Sequence, residues 1–140
     1  TGLSYVSDLG ELLEKSDIVS LHTPYCKATH HLINLSNVNR FKRGSYLINT
    51  ARGEICNSHA ILKGLDDKRI VGVGLDVIEG ERSIKKNEKV TTFDELVRRP
   101  EVFITPHLAY YTKEAQNEIS KTTIDNILAF LKGEVRNAVN

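Results

Sequence analysis

The sequence predicts an α/β fold: an open parallel sheet covered on both faces, with about four main strands, flanking helices and a long C-terminal helix. Three observations predict it. Short apolar runs alternate with stretches of helical periodicity. The runs are continuous rather than alternating, which is the pattern of parallel strands covered on both faces. Polar residues able to do chemistry follow each run at once, as they do where ligands bind beyond the carboxyl ends of parallel strands.

Leu9, Leu12 and Leu13 sit at helical spacing and lead into Ile18, Val19, Ser20 and Leu21, a run too short for a buried helix. Residues 36–41 (SNVNRF) read as a short capped helix ahead of a second strand at Tyr46, Leu47 and Ile48. A clearer helix follows, with Ser58 as its N-cap and Ile61, Leu62 and Leu65 on one face. Residues 70–75 (IVGVGL) and 102–105 (VFIT) read as the third and fourth strands, the last ended by Pro106. Between them, residues 80–90 (GERSIKKNEKV) are polar and charged and read as a solvated loop. Over residues 112–132, Ala115, Ile119, Ile124, Ile127, Leu128 and Leu131 mark one amphipathic helix stopped by Gly133.

Composition narrows the function classes. A chain of 140 residues suits one ordinary domain, and 40% hydrophobic with 26% charged residues excludes the disordered class. A formal charge of +1 gives no electrostatic reason to expect nucleic acid or an anionic membrane as partner. No apolar run approaches the ~20 residues of a bilayer crossing. Cys26 and Cys56 form no CxxC pair, no metal site is expected, and a reducing, cytoplasmic setting follows from the cysteine usage. The chain starts at Thr1 with no leader-like segment, so either its start was processed or it is a piece of something longer, and the motifs favour a piece.

The strand tips carry the chemistry. His22, Thr23 and Pro24 follow the first strand; Asn49, Thr50, Ala51, Arg52 and Gly53 follow the second. Asp76, Glu79 and Glu81 come after the third, and Pro106 and His107 after the fourth. Singly these are ordinary loop residues; on one rim they form a set. The guanidinium of Arg52 matches a substrate carboxylate in two parallel hydrogen bonds. Histidine is the side chain that gives and takes a proton near neutrality, and a carboxylate such as Glu81 would stabilise the imidazolium of His107 and fix its tautomer. Interconverting a 2-hydroxy acid and a 2-keto acid requires that pairing. The hydride must come from a cofactor, because no side chain supplies one.

The motifs LINTARG (47–53), VGLDVIEGE (73–81) and ITPH (104–107), in that order and spacing, resemble the D-isomer-specific 2-hydroxyacid dehydrogenases, and within them the D-lactate dehydrogenase branch. The resemblance implies that the sheet is half of a doubly wound, Rossmann-like domain that binds NAD. It gives Arg52, Glu81 and His107 the catalytic roles, with the interval from Arg52 selecting Glu81 over Glu79. Thr23, Pro24, Thr29, Thr50, Ala51, Arg52 and Asp76 are implied cofactor contacts. Arg52, His107 and Tyr110 are implied contacts of a small 2-keto or 2-hydroxy acid such as pyruvate or D-lactate.

The departures are as informative. No GxGxxG occurs; that motif and the acidic ribose ligand after it are expected upstream of Thr1, so NADP stays open as well. Glu54 stands where a second glycine is common and adds a negative charge near Arg52; Asn57 stands where an acid is common. Residues 1–111 are expected to be the C-terminal half of the dinucleotide-binding domain, and 112–140 a return helix toward a substrate domain. A homodimer, or self-association of the 140-residue chain through an exposed strand edge and helix-binding face, is expected. The isolated chain is expected to be inactive. A cofactor-sensing module resembling the family's corepressor relatives is the alternative, and an inactive truncated product a third.

Overall fold

The computed structural model describes every residue except 1, 3, 87, 139 and 140. Two compact units divide the chain, Thr1–His107 and Leu108–Asn140. The first carries a four-stranded, wholly parallel sheet in the order β1 (Ile18–Leu21), β2 (Ser45–Asn49), β3 (Ile70–Leu75) and β4 (Val102–Ile104). The predicted strands all form, within a residue or two of their expected ends.

One helix precedes the first strand, and the others of this unit lie in the crossovers from β2 to β3 and from β3 to β4. Asp8 caps α1 (Leu9–Lys15) by accepting the Glu11 amide at 2.7 Å. Leu13 from α1 is fully buried beside Phe41, Ile33 and Val38. These residues, with Ile61 and Leu65 of α2 (Ser58–Asp66), cover the face of the sheet built by Val19, Leu21, Leu47, Val73 and Leu75. Each such aliphatic side chain contributes about 1.5–3 kcal/mol on burial, so this face holds the unit together. The opposite face is bare at Ile18, Tyr46 and Phe103, which are 64%, 48% and 72% exposed.

Three local expectations are corrected, and one helix is added. The predicted helix over 36–41 is only a 3₁₀ turn, Val38–Arg40, because Asn34 and Asn37 spend their side chains on a tight turn before it. The cap of α2 is Asn57, whose side chain accepts from the Ala60 amide at 3.1 Å; Ser58 is the first helical residue. The predicted loop over 80–90 contains a short helix, α3 (Glu81–Lys85), entered through Gly80 in the left-handed region (φ 78°). A further helix, α4 (Thr91–Val97), packs Leu96 into the core and was not expected.

The second unit contains α5 (Lys113–Leu131), as the periodicity predicts. Thr112 caps it by accepting the Ala115 amide at 3.1 Å, and Gly133 ends it at φ 82°. Ile119, Ile124, Ile127, Leu128, Phe130 and Leu131 along it are all more than half exposed.

Candidate active site

An open cleft of about 1030 Å³ lies at the carboxyl ends of the strands, lined from the tips of β1 and β2, from α3 and from the turn after β4. Thr23, Pro24, Thr50, Ala51, Arg52, Glu81 and His107 all reach it. The topology explains the convergence: in a wholly parallel sheet every strand ends at the same rim.

Arg52 is placed by a brace beneath it. Asn49, the last residue of β2, is fully buried; its amide nitrogen donates to the Arg52 carbonyl at 2.9 Å and its side-chain oxygen accepts from the Ala51 amide at 3.1 Å. The next residue, Gly53, has no room for a side chain: a Cβ there would stand 2.1 Å from the carbonyl carbon and oxygen of Ile78. That close approach presses the segment after β3 against the Arg52 turn. The guanidinium itself reaches into the cleft, with Nη1 donating to the Ala51 carbonyl at 2.6 Å. Among the described residues no ion pair joins it to Glu54, which lines the same cleft.

His107 follows a three-residue turn in which its amide donates to the Thr105 carbonyl at 2.9 Å, and it sits in the left-handed region at φ 58°. Its Nδ1 lies 3.2 Å from Oε1 of Glu81. The same oxygen accepts from Lys85 Nζ at 2.5 Å, one helical turn along α3. The Lys85 hydrogen bond does most to hold the Glu81 carboxyl below the usual carboxylate range; burial opposes it, and the contact with His107 adds to it. Glu81 is therefore an ionised acceptor beside the imidazole.

Thr23 lies at the tip of β1, and its hydroxyl oxygen is buried without a hydrogen-bond partner among the described residues. Thr29, by contrast, does not line the cleft. Its hydroxyl donates to the Pro24 carbonyl at 2.7 Å and accepts from the Cys26 amide at 2.8 Å, closing the loop that carries Pro24. Asp76 is buried and accepts from the Thr105 hydroxyl at 2.5 Å. It lines a neighbouring, mostly apolar pocket of about 320 Å³, whose walls include Glu81, Lys85 and His107. Tyr110 belongs to the second unit, where its ring meets Tyr111 edge-on at 6.1 Å.

His22, named at the tip of the first strand, also lines the cleft; sequence reasoning missed Tyr25, Arg82 and Lys85, which line it too. For Lys85 the signal was the Glu81–Lys85 spacing of four, which has meaning only once 81–85 is helical. Glu79, passed over for Glu81 as the partner of His107, bridges two elements: Oε1 meets His31 Nε2 at 2.5 Å and Oε2 accepts from the Ser58 amide at 2.8 Å. No cluster of three or more metal-ligating side chains occurs among the described residues.

Residues 1–109 match the family model described as "D-isomer specific 2-hydroxyacid dehydrogenase, NAD binding domain". A glyoxylate reductase of Thermofilum pendens is 43% identical over 129 residues, covering 92% of this chain and 36% of that protein. The D-isomer specific 2-hydroxyacid dehydrogenase of Lactobacillus delbrueckii ssp. bulgaricus, solved in its NAD-complexed form, superimposes with a TM-score of 0.86 at 34% identity, over 96% of this chain and 43% of that one. The D-lactate dehydrogenase of Aquifex aeolicus, solved with NAD and lactic acid, gives 0.81 at 39% identity, over 94% and 41%. The chain thus spans well under half the length of these relatives. Parallel sheet, rim-borne arginine, carboxylate–imidazole pair and family match agree: the chain belongs to the D-isomer specific 2-hydroxyacid dehydrogenases, and residues 1–109 are sequence of their NAD-binding domain.

Proposed function

We propose that the full-length protein carrying this chain is an NAD-dependent oxidoreductase that interconverts a small 2-keto acid and its D-2-hydroxy acid, with pyruvate and D-lactate as the substrate type. The observation that carries the reading is the 3.2 Å approach of His107 Nδ1 to an ionised Glu81, in the cleft that also takes the Arg52 guanidinium. Arg52 grips the substrate carboxylate as a planar fork and draws negative charge onto the carbonyl oxygen. His107, with Glu81 on its Nδ1, presents Nε2 to that oxygen, protonating it in reduction and accepting the proton in oxidation. Glu81 holds the ring in that orientation and stabilises its cation. Tyr110 is proposed as a further substrate contact on the family resemblance alone.

NAD, when bound, supplies or accepts the hydride. The residues present fit such a group. The buried Thr23 hydroxyl is an orphan that a polar ligand would satisfy, and the cleft is open enough for an extended one. Thr23, Pro24, Thr50, Ala51 and Arg52 would line it, Thr29 would shape the loop bearing Pro24, and Asp76 would act from the adjoining pocket. Residues 1–111 would form the second half of the dinucleotide domain, and 112–140 the helix returning to a substrate domain. A homodimer in the cytoplasm is the setting this reading implies; among the described residues no helix is long and apolar enough to cross a membrane.

Steady-state reduction of pyruvate by the full-length protein tests the assignment. Arg52→Ala is expected to lower kcat/KM by about a hundredfold or more, since charge stabilisation and orientation both go. His107→Ala is expected to remove the limb of the pH–rate profile that reports the acid–base group. Unchanged kinetics in either variant would remove that residue from the mechanism.

A further inference from the structure

We propose that Glu79 is a positioning residue for the reaction: its carboxylate clamps segment 78–81 to His31 and to the N-terminus of α2, and thereby sets Glu81 against His107. The inference rests on the function proposed above and adds a residue to it.

The clamp is built from three elements. Oε1 of Glu79 meets Nε2 of His31, in the loop after β1, at 2.5 Å, and the other oxygen, Oε2, accepts the Ser58 amide at the first turn of α2 at 2.8 Å. Both oxygens are therefore committed, and to elements far apart in the chain. His31 is held in turn. It lies in the left-handed region at φ 48°, its amide donates to the Glu54 carbonyl at 2.9 Å, and its ring stacks on His30 at 3.9 Å. An ionised carboxylate only accepts, so His31 Nε2 is the donor. The remaining titratable neighbour is Cys56, whose buried thiol is pushed up to about 12 by burial and by the charge of Glu79.

What the clamp holds is the short connection to Glu81. The backbone of Ile78 and Glu79 lies against Gly53, and the Glu81 amide donates to the Ile78 carbonyl at 3.2 Å. Arg52 on one side and Glu81 on the other are thus referenced to a single tethered segment. α3 cannot hold Glu81 alone, since it has five residues, none of them buried, and no side-chain cap. A displacement of about 1 Å in such a pair is worth up to a hundredfold in rate.

The test uses the full-length protein with NADH and pyruvate. Glu79→Gln is expected to lower kcat about tenfold or more and to move the pH profile of kcat, with KM for pyruvate changed less than twofold because Arg52 keeps its brace. His31→Ala should reproduce that effect, and His31→Gln, which keeps a donor, should restore most of the rate. The Glu79→Gln/His31→Ala double variant should be no worse than either single one, as residues acting through one contact are not additive. Wild-type kcat and pH profile in Glu79→Gln would overturn the proposal, even if that variant melts at a lower temperature. The NMR signal of the His107 ring gives an activity-independent readout: it should shift in Glu79→Gln, and an unmoved signal also overturns the clamp. Wild-type protein inactive on every 2-keto acid tried would sink the proposed function alone, with the ring signal still deciding the role of Glu79.

Discussion

Gly53 shows how one missing side chain aligns two catalytic candidates. Its backbone runs against the carbonyl of Ile78 so closely that any Cβ would overlap backbone atoms, which cannot step aside as a flexible side chain can. Gly10 makes the contrast. A Cβ there would meet the guanidinium end of Arg40, a flexible side chain that can shift at the cost of its exposed ion pairs with Asp8 and Glu14, while α1 would gain helix propensity. Gly53→Ala is therefore expected to cost about 3 kcal/mol by denaturant melts and to depress turnover of the full-length protein. Gly10→Ala is expected to stay within about 1 kcal/mol of wild type. Equal stabilities for the two variants would show that the 78–79 backbone yields at little cost. Arg52 and His107 stood out as candidates because each comes within three residues of a strand end, whereas Glu81 was singled out from Glu79 only by the interval from Arg52 that the family resemblance implies. Asn49, Glu79 and Lys85 did not stand out, since their partners are Ala51 and Arg52, His31 and Ser58, and Glu81: contacts set by turn and helix geometry rather than by residue type.

At the scale of the element, α2 begins where three requirements meet. Asn57 caps it, Ser58 offers its first amide, and Glu79 places negative charge at the positive end of the helix. Burial pushes the Glu79 carboxyl upward, but the Ser58 amide and the His31 ring outweigh it and leave the group below its ordinary range. A carboxyl whose folded value is depressed contributes stability in full above its unfolded value, near ~4.3, and loses it as pH falls through the folded value. The melting temperature of Glu79→Gln should thus lie a few degrees below wild type at pH 7, for a loss of about 1–2 kcal/mol. That gap should narrow progressively below about pH 5. A gap that widens on acidification would reverse the sign and show that Glu79 is not held as an anion. Strands were readable because continuous apolar runs have one reading at four to six residues; α3 and α4 were not. Their stretch is dense in charge, neither has a side-chain cap, and only Leu96 among their residues is buried, so neither a cap nor an apolar stripe marks them in the sequence.

For the whole molecule, the sheet is covered on one face and bare on the other, although its strands read as apolar throughout. That apolar character is why the sequence pointed to burial on both faces, and the helices of the first unit, α1 to α4, supply only one of the two layers. Ile18 pairs with Tyr46, Tyr46 with Gly72, and Gly74 with Phe103, so the exposed side chains share one surface, with glycines making it flat between them. Both outer strands, β1 and β4, also have an unpaired edge. An apolar face of this kind in water drives association at roughly 25 cal/mol for each Å² it removes from solvent. The 140-residue chain is therefore expected to give a mass above that of one chain in light scattering at micromolar concentration. Replacing Tyr46 and Phe103 together by lysine should return it to a monomer, since both side chains point into solvent and support none of the core. A wild-type chain that is monomeric and melts cooperatively would show that the bare face tolerates water, and the case for association through the sheet would end there.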